Sequence, residues 1–314
     1  MTKQLSIGKK IKKKQLLSIV IITYNNGEEI SKCLDSLKQQ VFPKNISLSK
    51  LVIIDNNSSD ETAETIKRYQ KKWNKSELMF KVNPTNFGFA KAINQGIKFL
   101  PKKSWFLLLN PDIQFVTNYE IFHLIKCLEK KEAQVAGGLL YKNTGEIQNS
   151  FFRIPNFLTA IFEFVNIKKI WPNNPFYKKF YYLNEKEYPP QTSKFVHGVS
   201  GSFMLVKPLT FDKIGLLDEN FFLYLEDIDF CSRVKKAGLK IIFCPKAKAF
   251  HFGGASSKLK RGKISYKAWV NSRRYFFKKH LSLIENIALQ PLFLADEIIV
   301  LLFSKFRRIF RRQL

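Results

Sequence analysis

Apolar runs of strand length alternate with amphipathic segments through the first third of the chain, and this alternation constrains the fold more than any other feature. Apolar side chains recur at helical spacing over residues 30–41 and again over residues 89–100. Buried strands that alternate with helices are typical of a mostly parallel sheet covered by helices on both faces. The sequence therefore predicts an α/β fold, with strands at residues 17–23, 51–54, 78–82 and 105–109.

Local signals place further helices. Ser58 and Glu61 have the spacing of a capping box, which predicts that a helix begins beside them. Another helix is predicted from about Glu226 to Gly238, because glycine favours the left-handed conformation in which many helices end. Residues 151–194 are rich in aromatic residues, prolines and lysines without periodicity, which predicts an insertion or lid with little regular structure.

Polar clusters follow the predicted strands at the point where each strand ends. Ligands of such sheets bind outside the carboxyl ends of the strands. One polar strand end is ordinary loop chemistry, whereas several in register indicate a shared binding site. The clusters are Thr23-Tyr24-Asn25, Asp55-Asn56-Asn57-Ser58 and Asn110-Pro111-Asp112.

Asp112 is a candidate metal ligand. A carboxylate at the end of an apolar strand is costly to desolvate unless it has a partner. Mg²⁺ or Mn²⁺ would be such a partner, since these cations prefer oxygen ligands and complete their shell with substrate phosphates. An ordinary Asx-Pro turn at Asn110-Pro111 is the alternative interpretation.

A carboxylate cluster and one histidine are further candidates. Glu226, Asp227 and Asp229 stand at a predicted helix start, where capping and the helix dipole explain one carboxylate but not all three. A general base that takes the proton of an acceptor hydroxyl must be held in a defined position, and a carboxylate at this helix start would meet that requirement. His251 precedes two glycines that allow a ligand to approach the backbone, although a buried core histidine is the alternative; His123 and His280 are interpreted as structural.

Composition narrows the function classes. The net charge of +28 attracts polyanions in general, but the chain lacks a helix-turn-helix, zinc-finger or RNA-binding signature, so no nucleic-acid partner is predicted. Four cysteines without a CxxC pair indicate buried thiols in a reducing cytoplasm. No apolar run is long enough to span a bilayer. The last segment mixes apolar and basic residues, which predicts an interfacial helix on an anionic membrane; a core-docking or dimer helix is the alternative.

Taken in order, these motifs resemble those of the family-2 glycosyltransferases with the GT-A fold, and most of all the bacterial rhamnosyltransferase-like members. The resemblance extends from about Leu17 to His280. The motifs that carry it are residues 20–25 (VIITYN), 53–60 (IIDNNSSD), 86–90 (NFGFA) with Asn94, 109–112 (LNPD), 201–205 (GSFML), 221–230 (FFLYLEDIDF) and 251–254 (HFGG).

The resemblance implies a role for each of these positions. Asp227 would be the catalytic base, with Glu226 beside it. Asp112 and His251 would bind a divalent cation, Mn²⁺ or Mg²⁺, and Asn110 replaces the first aspartate of the strict DxD motif. The donor nucleotide would be held by Thr23, Tyr24, Asn25, Asp55, Ser58, Asn86, Gly88 and Lys91.

The resemblance also implies an activity and a place in the cell. The expected reaction is inverting transfer of a sugar, with rhamnose as one candidate, from a dTDP- or UDP-linked donor to a glycan or polyprenyl-linked acceptor in cell-surface polysaccharide synthesis. The expected location is cytoplasmic, at the inner face of the cell membrane. A protein that binds nucleotide sugars or transfers nucleotidyl groups without glycan transfer is the alternative. The expected regions are a basic tail (1–15), a nucleotide-binding half (16–140) and an acceptor half (141–280) of one GT-A domain (16–280), and an amphipathic basic helix (281–314).

Overall fold

The computed structural model describes residues 14–73, 77–165, 171–253 and 262–310. Most of the basic tail predicted at residues 1–15 therefore lies outside the described residues, as do Gly254, Arg311 and Arg312. The same holds for the side chains of Lys305 to Arg308, at the basic end of the predicted C-terminal helix.

The first half of the chain confirms the predicted alternation of strands and helices. The apolar runs form parallel strands whose central residues, such as Ile19, Ile53 and Leu107, are fully buried. The elements are β1 (Gln15–Thr23), α1 (Gly27–Lys38), β2 (Ile46–Asp55), α2 (Thr62–Lys72), β3 (Leu78–Val82), α3 (Phe89–Lys98) and β4 (Trp105–Leu109).

The second half contains shorter strands and the remaining helices. Its strands are β5 (Ile113–Phe115), β6 (Val135–Tyr141), β7 (Ile147–Gln148), β8 (Phe151–Phe152), β9 (Lys194–Val196), β10 (Gly198–Val199), β11 (Phe203–Val206) and β12 (Ile241–His251). Its helices are α4 (Glu120–Lys130), α5 (Phe157–Glu163), α6 (Pro175–Phe180), α7 (Pro208–Ile214), α8 (Glu226–Lys236), α9 (Gly262–His280) and α10 (Leu283–Phe310).

One mixed sheet carries the site. Within the described residues its strand order is β3-β2-β1-β4-β11-β6-β12-β5, with β7 on β6 and β9 on β12. The long strands β1 to β4, β6 and β12 run in one direction, whereas β11 lies antiparallel between β4 and β6. Helices cover both faces and enclose two apolar cores. The predicted α/β class is confirmed, and the inserted β11 brings the start of that strand beside the end of β4.

Two local predictions are wrong. The capping box does not form: α2 begins at Thr62 with Glu61 as its N-cap residue, and Ser58 donates its hydroxyl to Asp55 instead. Val41 lies beyond the end of α1 and is 40% exposed, although its spacing had suggested the buried helix face. For Ser58, the loop after β2 rather than the helix determines the position of the side chain.

The aromatic segment 151–194 has more regular structure than its sequence predicted. It contains α5 and α6, and many of its aromatic side chains, such as Phe151, Phe164 and Phe180, pack into the core, whereas Trp171 is exposed. Phe151 stacks on Phe243 with ring centroids 4.1 Å apart, and Phe180 is 2% exposed. Because its contacts are made by rings far apart in the sequence, helical or strand periodicity was a poor guide to this segment.

Gly238 ends its helix as predicted. The backbone of Gly238 has a φ of +72°, and its N–H donates to the carbonyl oxygen of Lys235. The helix α8 that it terminates begins at Glu226, as the sequence indicated.

Candidate active site

A cavity opens at the carboxyl ends of β1 and β4. Its wall comes from strand ends, from the turn before α3, from the segment before α8 and from the first turns of α9. The lining residues are Ile22, Thr23, Tyr24, Asn26, Asn56, Asn86, Gly88, Phe89, Asn110, Pro111, Asp112, Phe222, Leu223, Ile264 and Ser265. The three polar strand ends predicted to share one site therefore do contribute to a common cavity.

Asp55 lies behind the cavity wall rather than on it. Its side chain is fully buried and accepts hydrogen bonds from the hydroxyls of Thr23 and Ser58, both at 2.6 Å, and from the N–H of Ser58 at 2.9 Å. Asn25, with a φ of +55°, accepts from the N–H of Ser59 and so ties the loop after β1 to the loop after β2. These contacts fix the position of Thr23 in the cavity wall.

The turn before α3 requires glycine. Gly88 has a φ of +83°, and a Cβ there would lie 2.4 Å from the carbonyl oxygen of Phe222. That carbonyl accepts from the N–H of Phe89 at 2.7 Å, which joins the two halves of the chain at the cavity. Asn86 lines the cavity, whereas Lys91 is exposed on α3, over the ring of Phe87, and does not line it.

Asp112 and His251 meet although they lie far apart in the sequence. Strand β12 pairs with β5, and the N–H of Phe252 donates to the carbonyl oxygen of Asp112. This pairing places His251 Nε2 3.3 Å from Asp112 Oδ1. Both side chains are largely buried, at 13% and 12% exposed.

Hydrogen bonds define which nitrogen of His251 carries the proton. Nδ1 lies 3.1 Å from the side-chain oxygen of Gln148, to which it donates, and Nε2 accepts from the amide of Asn110 at 3.2 Å. Nε2 is therefore the nitrogen without a proton, and it lies 3.3 Å from Asp112 Oδ1. That oxygen and Asn110 Oδ1 are buried without a hydrogen-bond partner among the described residues.

This set of atoms suits a divalent cation. His251 Nε2 lies beside the oxygens of Asp112 and Asn110, and a metal-bound histidine ordinarily donates its other N–H to an acceptor such as Gln148. In the described part of the chain, no group of three or more His, Cys, Asp or Glu side chains is arranged to hold a metal ion. The protein would thus contribute few ligands, which is usual for Mg²⁺ and for cations that also bind substrate phosphates.

Asp227 lies beside the same strand end. Its carboxylate accepts from the N–H of Gly201 at 3.0 Å and from the N–H of Ile228 at 2.8 Å. Ser202, the residue after Gly201, accepts from the Asn110 amide at 3.0 Å. Gly201 and Ser202 immediately precede β11, and through Asn110 they connect Asp227 to the Asp112–His251 pair.

The backbone before α8 is strained in a way that positions this carboxylate. Tyr224 and Leu225 both have positive φ values, +71° and +68°, which are uncommon for residues other than glycine. Strain of this kind persists only where surrounding contacts enforce it, and it is often found at functional sites. Here the Tyr224 hydroxyl lies 2.6 Å from that of Ser265.

Glu226 and Asp227 differ in their tendency to ionise. Burial raises the pKa of Glu226 to about 8, and the neighbouring Asp227 carboxylate adds to the increase. Burial also raises the pKa of Asp227, although hydrogen bonds from the Gly201 and Ile228 N–H groups oppose the rise. At neutral pH Glu226 is therefore mostly protonated.

Asp229 is separate from the site. It is fully buried and contacts Arg233 at 2.9 Å, Lys279 at 2.7 Å and His280 at 2.8 Å. Burial tends to raise its pKa, but the bonds from His280, Lys279 and Arg233 are stronger and lower it. Asp229 thus joins α8 to α9, and the structural interpretation of His280 agrees with this contact.

Sequence reasoning missed the residues that support the site. Gln148 lies on a strand of two residues, and Ser202 was noticed only as part of a motif. Neither position has a periodicity or charge signal, because each acts through a partner that is distant in the sequence.

Comparison with known proteins identifies the family of this chain. Residues 18–198 match the family described as Glycosyl transferase family 2. This chain belongs to that family. It is 26% identical over 275 residues to the N-acetylglucosaminyl-diphospho-decaprenol L-rhamnosyltransferase of Mycobacterium tuberculosis, covering 83% of each protein. It is also 23% identical to Rhamnosyltransferase WbbL of Escherichia coli, covering 76% of this chain and 83% of that protein.

Solved structures of glycosyltransferases share the fold. A mannosyltransferase from Pyrobaculum calidifontis, in complex with GDP-Man and Mn²⁺, superposes with a TM-score of 0.55 at 14% identity, covering 91% of this chain and 69% of that one. TarS 1-349 from S. aureus, in complex with UDP-GlcNAc, gives a TM-score of 0.52 at 17% identity, covering 89% and 71%. The family-2 enzyme therefore has the GT-A fold, and it is a glycosyltransferase that acts in glycan synthesis.

Proposed function

We propose that this glycosyltransferase moves a sugar from a nucleoside-diphosphate donor to a lipid-linked or glycan acceptor, with inversion at the anomeric carbon. The observation that supports this most is the connection of Asp227 to the Asp112–His251 pair through Gly201 and Ser202. A general-base carboxylate and a site for a diphosphate-bound cation must lie close together for such a reaction, and these contacts hold them near each other.

The donor side of the proposal uses the strand ends of the first half. Thr23, Tyr24, Asn86 and Gly88 line the cavity and would contact the nucleotide directly. Asp55, Ser58 and Asn25 would support them from behind. Lys91 would have to act at longer range, as a charge near the diphosphate.

The relatives suggest a donor and an acceptor. Two of them are named rhamnosyltransferases, and one name specifies an N-acetylglucosaminyl-diphospho-decaprenol acceptor. We propose dTDP-rhamnose as the first candidate donor, with a UDP-hexose as the second, and a sugar carried on a polyprenyl diphosphate as the acceptor. These choices rest on similarity, because the cavity lining does not distinguish one sugar from another.

The chemistry follows from the positions of the side chains. Asp227, fixed by two backbone N–H groups, would take the proton of the acceptor hydroxyl as that oxygen attacks the anomeric carbon. Glu226, protonated at neutral pH, would leave Asp227 as the charged member of the pair. A Mn²⁺ or Mg²⁺ ion bound by Asp112 and His251 would stabilise the negative charge of the departing diphosphate.

Acceptor-dependent release of nucleoside diphosphate tests this proposal. We expect the enzyme to release dTDP from dTDP-rhamnose, or UDP from a UDP-hexose, only when an N-acetylglucosaminyl-diphospho-polyprenol is present, and faster with Mn²⁺. The product lipid should gain the mass of one sugar. Release of inorganic diphosphate, or donor turnover that ignores the acceptor, would instead support a nucleotidyl or sugar-hydrolysing enzyme.

The helix α10 supports a membrane location. Between Leu283 and Leu302, every exposed residue whose side chain the structure describes is apolar. Ile284 is 81% exposed, Ile287 is 60% exposed and Leu294 is 54% exposed. The exposed residues are Leu283, Ile284, Ile287, Ala288, Pro291, Leu292, Leu294, Ala295, Ile298, Ile299 and Leu302.

The acidic side chains Asp296 and Glu297 of α10 point inward, toward α9. Arg273 is fully buried and pairs with Asp296 at 2.6 Å and with Glu297 at 2.9 Å. Arg274 also contacts Glu297 at 2.9 Å. A helix with its charges inside and its apolar side chains outside is the reverse of a soluble surface helix, and exposed apolar patches of this kind mark interaction surfaces.

We propose that this apolar face enters the surface of an anionic membrane, where polyprenyl-linked acceptors reside. None of the described helices is long and apolar enough to cross a bilayer. The basic residues that follow in the sequence, from Lys305 to Arg312, would contact anionic headgroups at the inner face of the cell membrane. Helix α9 begins at the cavity and packs on α10, so the proposed membrane face is connected directly to the proposed active site.

Lysines placed on the apolar face should abolish membrane binding. For Ile287→Lys/Ile298→Lys we expect binding to phosphatidylglycerol-containing vesicles to weaken by about 100-fold or more, because each apolar side chain contributes about 1.5–3 kcal/mol when buried. The measurement is co-sedimentation with vesicles. The matched control is Leu209→Lys, which replaces a 51% exposed leucine on α7 and should bind as the unmodified enzyme does.

The added charge makes this test discriminating. If attraction between lysines and anionic lipid alone caused binding, the doubly substituted enzyme would bind more tightly rather than less. A stable dimer in solution that the same substitutions convert to monomer would show that a second copy, not lipid, covers this face.

A further inference from the structure

Two thiols that are far apart in the sequence lie at the contact between α4 and β12. Cys127 is near the end of α4, and Cys244 is in β12. Cys244 Sγ donates to the carbonyl oxygen of His123 at 3.5 Å, and His123 precedes Cys127 by one turn of α4. The two thiols are therefore neighbours across this contact, and little movement is needed to join them.

Both thiols line a cavity of about 590 Å³ that is separate from the proposed active site. Its wall comes from α4, from residues 191–193 and from the bulged part of β12. None of the described residues assigned above to the donor, the metal or the base lines it. The cavity also carries the lysines 126, 130, 131 and 246, which give it a positive potential.

The two thiols are chemically different. Hydrogen bonding from Cys244 lowers the pKa of Cys127, and Ser193 and Lys131 lower it further against the effect of burial. The same hydrogen bond and burial raise the pKa of Cys244, which is 3% exposed. Cys127 therefore ionises to the thiolate more readily than Cys244, and it is the more accessible of the two.

The other cysteines lack these features. Cys33 and Cys231 are fully buried in the two apolar cores, and burial raises the pKa of each thiol. Neither has a second cysteine as a hydrogen-bond partner in the described part of the chain. They therefore serve as internal references within the same molecule.

We propose that Cys127 and Cys244 form a dithiol site that hydroperoxides oxidise to an intramolecular disulfide. The Cys127 thiolate attacks one oxygen of the hydroperoxide, whose O–O bond breaks, and gives a sulfenic acid and a hydroxide or alkoxide ion. The Cys244 sulfur then attacks the Cys127 sulfur, the Cys127 S–O bond breaks and the Cys244 proton leaves with that oxygen as water. Two thiol groups are oxidised by two electrons, and one hydroperoxide is reduced.

This disulfide would fasten α4 to β12 at the bulge between Cys244 and Lys248. The same strand ends at His251, and the carbonyl oxygen of Lys248 accepts from the N–H of Val116 beside β5. Oxidation at this place would thus restrain the strand that carries a proposed metal ligand. The proposal concerns the thiols alone and stands whether or not the transferase assignment of donor and acceptor is correct.

Treatment of the full chain with a small excess of hydrogen peroxide tests the proposal. After denaturation and alkylation, peptide mass spectrometry should show a Cys127–Cys244 disulfide, with Cys33 and Cys231 still alkylated, and dithiothreitol should reverse the change. Before oxidation, iodoacetamide at neutral pH should modify Cys127 at least about 10-fold faster than Cys33.

Serine variants separate the two roles. In Cys244→Ser the Cys127 thiol should pass to sulfinic acid, since no second thiol traps the sulfenic acid, whereas Cys127→Ser should leave Cys244 unmodified. The conclusion is overturned if the untreated chain reacts no faster at Cys127 than at Cys33, if Cys127 becomes sulfinic acid without a disulfide while Cys244 is present, or if another pair is joined. Circular dichroism of each variant checks that the fold is retained.

Discussion

Asp227→Asn should lower the rate of sugar transfer by about 10²–10⁴-fold, the range expected for loss of a positioned general base. Donor binding should be unchanged, because Asp227 is not among the residues that line the donor cavity. An asparagine oxygen can still accept from the Gly201 N–H, so the variant should keep its local structure. Transfer is measured as released nucleoside diphosphate, and donor binding is measured by calorimetry.

The raised pKa of Asp227 also predicts how the transfer rate depends on pH. Because burial raises the pKa of Asp227, its base form develops at higher pH than an ordinary aspartate, and the transfer rate should rise with pH across that range. The remaining activity of Asp227→Asn should lose this rise. A variant with nearly full activity, or one that keeps the same pH profile, would remove Asp227 from the role of base.

Glu226→Gln is the matched variant on the same helical turn. Since the pKa of Glu226 is raised to about 8, the side chain is already mostly neutral at pH 7, and an amide replaces it with little change in charge. We expect a change of less than about 10-fold in the transfer rate, compared with the large loss for Asp227→Asn. Equal losses in both variants would indicate that disturbance of α8, rather than loss of a base, explains the effect.

Much of the fold could be predicted because its information is local. Strands such as Leu78–Val82 and Trp105–Leu109 are short apolar runs that have their predicted limits in the structure. The helix end at Gly238 is equally local, since one residue supplies the required φ. Where the structure differs, as at Ser58, burial of a neighbouring side chain determines the result. The buried Asp55 carboxylate requires hydrogen-bond donors, and it accepts from the Ser58 hydroxyl that was predicted to cap α2.

The sequence indicates the principal candidate residues of the site but not the contacts that connect them. Asp112, His251 and Asp227 stand out in the sequence because a charged or titratable group appears among apolar neighbours. That Gly201 and Ser202 would connect them depends on β11 inserting antiparallel beside β4, and a pattern along one strand cannot show which strand lies next to it. The orienting role of Gln148 is hidden for the same reason.

The C-terminal helix shows how structure adds to a compositional argument. The sequence indicated a helix with both apolar and basic residues, which favours a membrane surface but leaves a core-docking or dimer helix as the alternative. The structure shows which side is exposed, and the buried Arg273 explains why: Asp296 and Glu297 pair with it and so turn the polar face inward. The apolar face is consequently left outside, which a soluble monomer would not favour.

Asp112→Asn should have the second large effect, on cation binding and on transfer together. The substitution keeps the shape of the side chain but removes its negative charge and places a donor group near His251 Nε2. A cation that stabilises a departing diphosphate contributes several kcal/mol. Loss of about 3 kcal/mol would lower the transfer rate by about 100-fold.

Cation binding provides a readout that does not depend on activity. Electron paramagnetic resonance of Mn²⁺ titrated into the enzyme with nucleoside diphosphate should show tight binding that Asp112→Asn loses. Gln148→Leu, which removes only the acceptor for His251 Nδ1, should weaken Mn²⁺ binding by a smaller factor, about 10–100-fold. His123→Gln, on α4 and outside the cavity, is the control and should bind Mn²⁺ normally.

This ordered series distinguishes a metal site from a purely structural contact. If Asp112 and His251 only held β12 against β5, Asp112→Asn would lower the melting temperature and leave Mn²⁺ binding intact. If they bind the cation, the loss of Mn²⁺ affinity should follow the order Asp112→Asn, then Gln148→Leu, then His123→Gln. The substitutions alter the atoms that would hold the cation and not the fold around them. We therefore expect Mn²⁺ affinity to fall in this order, while melting temperatures stay close to that of the unmodified enzyme.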